Sequence, residues 1–185
     1  MKEDGLEREK RPLPEGSHRH RLLDPKFWRY AWNYVFQCFL ATATVFAVLL
    51  ILDYTDQAAI VASIGASAFI VFTSPGSQPA QFRSLLGGYS VGMASGIACT
   101  FLGRAIDPLS SWGWAGSPIV MGGIAVGLSV FLMVLTDTEH PPAAAVALAL
   151  VINRWNAASL MVILVAIGML VMVRYFFRDQ LRDLI

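Results

Sequence analysis

Charge is scarce in the middle of this 185-residue chain. Of its 27 charged residues, 14 fall within residues 1–31, 5 within 174–185 and only 8 between them. The chain is also 56% hydrophobic, with a mean hydropathy of +0.56, which excludes a soluble globular protein. Basic residues lie mainly in the termini, interleaved with acidic ones, so we expect no nucleic-acid partner. The composition predicts an all-α polytopic membrane bundle whose main partner is the lipid bilayer.

Cysteine and catalytic signatures are equally sparse. Cys38 and Cys99 each stand alone within an apolar segment, without the spacing of a zinc site or a CxxC pair, so we expect neither a metal nor a cofactor. His140, together with Asp137 and Glu139, is the one constellation that an intramembrane enzyme would use. The sequence offers no nucleophile in a recognisable elbow, no HExxH motif and no phosphate loop. We therefore expect no enzymatic activity.

Six apolar segments divide the chain. A helix that crosses the hydrocarbon core needs about 20 residues, within a range of about 17–25. Four segments reach that length, whereas the second is a little short and the fifth is half a crossing. The segments are 32–52, 58–72, 85–103, 119–135, 143–152 and 157–173. The sequence therefore predicts four to six membrane segments in a domain at 31–177, with a charged tail at 1–30 and a short tail at 178–185.

Lysine and arginine favour one side of the predicted membrane. With six segments, twelve basic residues fall on the side of the N-terminus and only two, Arg104 and Arg154, on the other. Because cytoplasmic loops carry the excess of Lys and Arg, both termini are predicted to lie inside. We expect an integral protein of a prokaryotic inner (plasma) membrane or of an organelle membrane.

Glycine recurs at four-residue steps in two of the segments. The third carries Gly88, Gly92 and Gly96, and the fourth carries Gly123 and Gly127. Small residues at this spacing let helix backbones approach closely, within a subunit or between copies. Because about 140 residues make a small pathway across a bilayer, we expect a homo-oligomer.

The most informative stretch is a charged, proline-broken heptapeptide, TDTEHPP at 136–142, which we name the second break. It lies between two segments without a charge. Irregular backbone survives within hydrocarbon only where it is buried in protein or lines a wet cavity; elsewhere it is a surface loop. The sequence leaves both placements open.

An earlier polar stretch at 73–83, the first break, resembles the second. A shift of 63 residues places Thr73 on Thr136, Pro79 on Pro142 and Ala80 on Ala143, each time between two apolar segments. Internal repeats are common in transporters, whose substrate site lies where the repeats meet. The pattern predicts a duplicated unit of helix, proline-containing break and helix.

Proline is tolerated in the first turn of a helix, so Pro79 and Pro142 are predicted to start helices at Ala80 and Ala143. Free N–H groups there, together with the helix dipole, would form a site for a small oxyanion. The predicted ligands are Thr73, Ser74, Ser77, Gln78, Gln81, Arg83, Thr136 and His140. His140 is also a candidate for proton coupling, because histidine titrates near pH 6.5.

Simpler roles compete with these. Arg83 would be a topology-setting charge if it is exposed, and His140 would be an ordinary helix-capping or loop residue. Asp137 and Glu139 would repel an anion unless they pair with Arg83, are protonated or face the solvent.

The chain resembles the HPP family of integral membrane proteins. The resemblance rests on two motifs in order within an apolar chain: Ser74-Pro75, Ala80-Gln81, Arg83 and Gly87-Gly88, followed by His140-Pro141-Pro142. Phe82, Ser84, Tyr89, Ala144 and Val146 depart from the usual family pattern, which bears on the substrate more than on the fold.

What the resemblance implies is four spanning helices and a role in transport. Because some plastid members are associated with nitrite transport, it implies carriage of a small inorganic anion, with nitrite as the first candidate. The alternative is a non-transporting membrane module that packs helices or presents its charged tails to a partner.

Overall fold

The computed structural model describes residues 25–51, 58–106 and 117–184. Within these ranges the chain is helical and forms no β-strand. The helices are α1 (Pro25–Ile51), α2 (Ala58–Thr73), α3 (Phe82–Ile106), α4 (Pro118–Thr136), α5 (Pro141–Ile152) and α6 (Ala157–Phe177). The predicted all-α bundle is confirmed. The first 24 residues of the predicted N-terminal tail lie outside the described ranges.

Four of these helices are long and apolar enough to cross a membrane: α3, α4, α6 and residues Tyr30–Leu50 of α1. The helices α2 and α5 are apolar but shorter. Large apolar side chains point away from the bundle on the outer helices, including Phe39 of α1 and Phe131 of α4, which are 67% and 63% exposed. Such faces are suited to lipid contact.

Successive helices run in alternating directions, so that six helix ends meet on one face of the bundle, which we name the break face. It holds the starts of α1, α3 and α5 and the ends of α2, α4 and α6. Both breaks lie there, as the six-segment prediction requires. On the opposite face, a cavity of about 250 Å³ is lined by the ends of α3 and α5 and the start of α4, including Arg104, Pro118 and Arg154.

The short helix α5 lies inside the bundle, packed against α2, α3 and α4. Its glycine-bearing neighbour α3 permits this. A Cβ atom added to Gly96 would lie 2.7 Å from the carbonyl oxygen of Ala147, and one added to Gly92 would collide with the carbonyl oxygen of Ala143. The predicted close packing of the third segment therefore occurs within the subunit.

The second glycine pair behaves differently. Apart from the adjoining backbone of α4 itself, no described atom lies within 4 Å of a Cβ atom built on Gly123 or Gly127. Their face of α4 therefore makes no close helix contact within the described chain. Association between copies through such a face stays a prediction.

The end of the chain folds back over the break face. The Leu184 N–H donates to the carbonyl oxygen of Thr73 at 2.8 Å, and the Tyr34 hydroxyl donates to the carbonyl oxygen of Leu184 at 2.8 Å. The Gln37 amide, only 1% exposed, donates to the carbonyl oxygens of Arg182 and Phe72. The predicted tail is thus tied to α1 and α2 by partly buried hydrogen bonds.

Candidate functional site

The two breaks lie side by side and are joined by polar contacts. Gln78 Nε2 donates to Asp137 Oδ1 at 2.9 Å, and Arg83 Nη2 donates to the carbonyl oxygen of Thr136 at 2.8 Å. Arg83 also forms an ion pair with Asp137 at 3.2 Å, with both side chains about two-thirds exposed. At that exposure the pair stabilises the fold by about 1 kcal/mol or less. The sequence anticipated this pairing as one of three ways to accommodate Asp137.

Asp137 also ends α4. Its backbone is left-handed, with φ of 54° and ψ of 46°, and its N–H returns to the carbonyl oxygens of Met133 and Val134. Aspartate tolerates this conformation better than most residues. The resulting turn directs the chain through Thr138 to His140.

His140 connects both breaks to α2. Its Nδ1 lies 2.8 Å from the carbonyl oxygen of Pro79, and its Nε2 lies 2.8 Å from Ser67 Oγ. A carbonyl oxygen only accepts, so Nδ1 carries a proton and donates, and Nε2 of the neutral ring accepts from Ser67. The side chain is 1% exposed and does not cap α5. His140 is therefore a buried link between the two breaks and α2; its ring makes a hydrogen bond to the loop carbonyl of Pro79 but does not cap α5.

A cluster of buried hydroxyl groups continues inward from His140. Ser67 Oγ lies 2.7 Å from the Tyr89 hydroxyl, which lies 3.1 Å from Ser63 Oγ. Ser63 also donates to the carbonyl oxygen of Pro142, at the start of α5. We name His140, Ser63, Ser67 and Tyr89 the buried polar cluster. It reaches from the breaks into the space between α2, α3 and α5.

The Gly87-Gly88 motif makes room for this arrangement. A Cβ atom on Gly88 would lie 2.7 Å from His140 Cβ and 3.0 Å from the carbonyl oxygen of Thr138, and one on Gly87 would collide with the Thr138 side chain. The first motif thus provides the space that the second motif fills. On the other side, His140 lines a cavity of about 490 Å³ between α4 and α5, with Met133, Glu139 and Ala144.

A family model that describes the HPP transmembrane region matches residues 26–177. The chain belongs to the HPP family. No curated protein and no solved structure matches it. For this HPP protein, the contact between the Gly-Gly and His-Pro-Pro motifs gives a physical reason for their occurrence in one chain.

The two predicted helix starts in the HPP domain are each shifted by two residues. Pro79 lies in only a three-residue 3-10 turn, Gln78–Ala80, and α3 starts at Phe82 because Gln81 is extended. Helix α5 starts at Pro141, two residues before Ala143, because both prolines fit its first turn.

The N–H groups required for the predicted anion site are also engaged or absent. Pro141 and Pro142 have none, and the Ala143 N–H donates to the carbonyl oxygen of His140 at 2.9 Å. In the first break, the N–H groups of Ala80 and Gln81 close the 3-10 turn. A helix-dipole site for an anion therefore has no backbone donors at these two positions.

Most of the other predicted ligands serve the local backbone. Thr73, Ser77 and Thr136 each donate to a carbonyl oxygen three or four residues earlier: Phe69, Ser74 and Leu132. The carbonyl oxygen of Ser74 accepts a hydrogen bond from the Ser77 hydroxyl, and that of Pro75 accepts one from Arg174. The Gln81 side chain is exposed. Of the predicted ligands, His140 alone belongs to the buried polar cluster.

Sequence reasoning missed Ser63, Ser67 and Tyr89. The signal was two serines four residues apart in an otherwise apolar helix, and a tyrosine directly after Gly87-Gly88. A different pattern in the HPP chain, GYSVG at 88–92, imitates a nucleophile elbow but lies inside α3. Its Ser90 is exposed and donates to the carbonyl oxygen of Leu86 at 2.7 Å, one turn earlier.

The buried polar cluster contains more acceptors than protons. With a neutral imidazole, three hydroxyl protons serve five contacts: Ser63 to Tyr89, Ser63 to the Pro142 carbonyl, Ser67 to the Ser63 carbonyl, Ser67 to Tyr89, and Ser67 to His140. A proton added at Nε2 of His140 would supply one of the missing donors. Burial, however, lowers the pKa of His140 to about 4, although its hydrogen bond to Pro79 opposes the shift.

These two effects define what the cluster can do. Near neutral pH the imidazole is uncharged, and the neighbouring hydroxyls accept hydrogen bonds more readily than they donate them. A proton placed on Nε2 would add a hydrogen-bond donor to the cluster, but burial opposes the positive charge that it brings. Across the part of the chain that the structure describes, no three His, Cys, Asp or Glu side chains converge as metal ligands.

Proposed function

We propose that this HPP protein is a membrane transporter, not an enzyme, and that it carries a small inorganic monoanion together with a proton. Nitrite is the first candidate. The observation that carries the proposal is the position of His140, which is buried, contacts both breaks and lines the 490 Å³ cavity. Ionisable residues buried within membrane bundles usually belong to a substrate or proton pathway.

Charge compensation supports the pairing of anion and proton. Moving an isolated ion into a low-dielectric cavity costs far more than moving a neutral pair. When His140 takes the proton, its Nε2–H becomes a donor to Ser67, and the charged ring, which lines the cavity, attracts an anion there. Anion and imidazolium would then compensate each other's charge, and the exposed Glu139 carboxylate on the cavity wall would have to face the solvent.

The sequence suggested Arg83 and Gln78 as ligands of the anion, but their contacts indicate a structural role between the two breaks. Arg83 is paired with Asp137 and also bonds to the Thr136 carbonyl, on the exposed break face. We assign Arg83 and Gln78 to holding the two breaks together, and we propose that this face is the cytoplasmic one. Loosening the contacts would alter how fast the pathway opens without removing a ligand.

The decisive experiment measures nitrite uptake into sealed liposomes at two values of pH, with nitrate, formate and chloride as competitors. We expect saturable uptake that is faster when the source compartment is acidic. His140→Asn keeps an amide near the position of Nδ1 but cannot titrate, so uptake by this variant should lose its pH dependence. Ser67→Ala should slow uptake, whereas Ser90→Ala, at an exposed serine of α3, should not.

The contacts between the breaks are tested in the same vesicles. Gln78→Ala and Arg83→Gln should change the maximal rate and leave KM unchanged, with Gln81→Ala and Arg104→Gln as matched controls. A higher KM in Arg83→Gln would restore Arg83 as a direct ligand. No flux of any of the four anions through correctly inserted protein would refute transport and favour a non-transporting membrane module.

A further inference from the structure

The break-face end of α6 carries a second concentration of charge, separate from the buried polar cluster. Arg174, Arg178 and Arg182 follow one another at four-residue steps. All three line a cavity of about 430 Å³, together with Asp183 and the Pro75-Gly76 turn of the first break. The folded-back tail therefore completes a pocket that α6 alone would not have.

A second cavity, of about 260 Å³, adjoins the first. Arg174 and Arg178 line both, but the remaining walls of the second are Phe82, Val171 and Tyr175. Phe82 is 58% exposed and Tyr175 is 66% exposed, on the outer surface of a helical membrane bundle. The combined site is thus cationic on one side and apolar on the other.

The three guanidinium groups are held in place but retain spare donors. Arg174 donates from Nη2 to the carbonyl oxygen of Pro75 at 2.8 Å. The Arg178 guanidinium lies 5.6 Å from the centre of the Tyr175 ring, and that of Arg182 lies 5.4 Å from the centre of the Tyr30 ring. Each guanidinium has five N–H groups in a fork that suits the oxygens of a phosphate.

The acidic groups nearby do not cancel this charge. Asp183 is the one carboxylate among the lining residues, and its Oδ1 accepts the Gly76 N–H at 2.8 Å. Asp179 pairs with Arg178 at 3.5 Å, where both side chains are largely exposed and the interaction is weak. The three arginines face two carboxylates, and one of these, Asp179, does not line the cavity. The lining residues therefore carry a net positive charge.

We propose that these adjoining cavities, which we name the arginine site, bind the phosphate headgroup of an anionic phospholipid. The phosphate would be held by Arg178 and Arg182, and an acyl chain would follow Phe82 and Val171 towards the bilayer core. Basic pockets at the ends of membrane helices bind anionic headgroups in this way. A bound lipid would fasten the tail and α6 to the first break. The inference does not depend on the transported solute.

The test uses the full chain, purified and delipidated in a neutral detergent. Binding of phosphatidylglycerol, phosphatidylcholine and inorganic phosphate is measured by native mass spectrometry and by the shift in thermal unfolding. We expect phosphatidylglycerol to bind and stabilise, and the other two to have little effect. Arg178→Gln combined with Arg182→Gln should weaken phosphatidylglycerol binding by about 25-fold, from about a factor of five for each arginine. The matched control is Arg104→Gln combined with Arg154→Gln, on the opposite face.

A second variant keeps the test informative if the double substitution lowers stability. Val171→Trp fills the apolar cavity without replacing an arginine, and it should weaken lipid binding. Equal effects of inorganic phosphate and lipid would identify a free-anion site and overturn the proposal. Binding of phosphatidylcholine as tight as that of phosphatidylglycerol would also overturn it. So would an equal loss of phosphatidylglycerol binding in the Arg104 and Arg154 control, because either result would indicate unspecific adsorption.

Discussion

Replacing Gly96 with alanine tests the close approach of α3 and α5. The new Cβ would lie 2.7 Å from the Ala147 carbonyl oxygen and 3.0 Å from both Ala147 Cα and Leu150 Cβ. Two of these atoms belong to backbone, which cannot swing aside like the end of a flexible side chain. Helix α5 must therefore move by about half an ångström or more, because protein interiors are close-packed. Gly127→Ala is the matched control, since its Cβ would meet no described atom within 4 Å.

The magnitude follows from two opposing effects. Overpacking a close-packed interior costs about 1–3 kcal/mol. Replacing glycine by alanine inside a helix contributes about 1 kcal/mol in the other direction. Gly96→Ala should therefore lower the free energy of unfolding by about 0–2 kcal/mol, whereas Gly127→Ala should raise it by up to about 1 kcal/mol. The difference between the variants, about 1–3 kcal/mol, isolates the packing effect because the change in propensity is shared.

Thermal unfolding in one detergent, followed by tryptophan fluorescence at a fixed heating rate, measures this difference. At about 2–4 °C per kcal/mol for a chain of this size, Gly96→Ala should unfold roughly 2–12 °C below Gly127→Ala. Circular dichroism before heating checks that both variants are equally helical. Equal Tm values, or a higher value for Gly96→Ala, would refute the account of how α5 is accommodated.

Two further predictions concern the buried polar groups. Because the pKa of His140 is lowered to about 4 in the folded state, the unfolded chain takes up the proton first. The contribution of the neutral His140 ring to the free energy of unfolding is complete above about pH 6.5 and should fall by up to about 3 kcal/mol as the pH drops towards 4. His140→Asn should remove that part of the pH dependence of Tm. Identical slopes of Tm against pH in the wild-type protein and the variant would contradict the prediction. Gln37→Leu leaves the carbonyl oxygens of Phe72 and Arg182 without their donor, so it should cost about 1–3 kcal/mol and expose the tail to proteolysis. Asn33→Leu, which loses one long, exposed hydrogen bond to Gln180, is its control, and equally fast cleavage of both variants would count against Gln37 as the fastening residue.

The helices and their packing were largely predictable from the sequence. Uninterrupted apolar runs have few alternatives to helix in a membrane, so five predicted segments agree with helices to within about three residues at most ends. The steps from Gly88 to Gly96 predicted the close approach of another helix, although not that α5 would be its partner. The prediction of six segments, with both termini on one side, also placed both breaks on one face.

The site was less predictable, for physical reasons. Proline at 141 and 142 marks a helix start, but removes the N–H groups that the predicted anion site required. Whether Arg83 is free or paired depends on the distance to Asp137, which lies 54 residues away in the sequence. Ser67 and Tyr89 look like ordinary membrane-helix residues until the fold brings their hydroxyls to His140. Burial, which sets the pKa of His140, is likewise a property of the folded chain.

The length of α5 has a consequence for the membrane potential. Twelve residues at about 1.5 Å each span roughly 18 Å, well short of a hydrocarbon core of about 30 Å. One cavity adjoins each end of this helix, with His140 at one and Asn153 and Arg154 at the other. Where water or ions enter these cavities, most of the voltage falls across α5 alone. The electric field along this line is then stronger than beside α4 or α6, and a charge moved past α5 senses nearly the whole potential over a little more than half the thickness of the core.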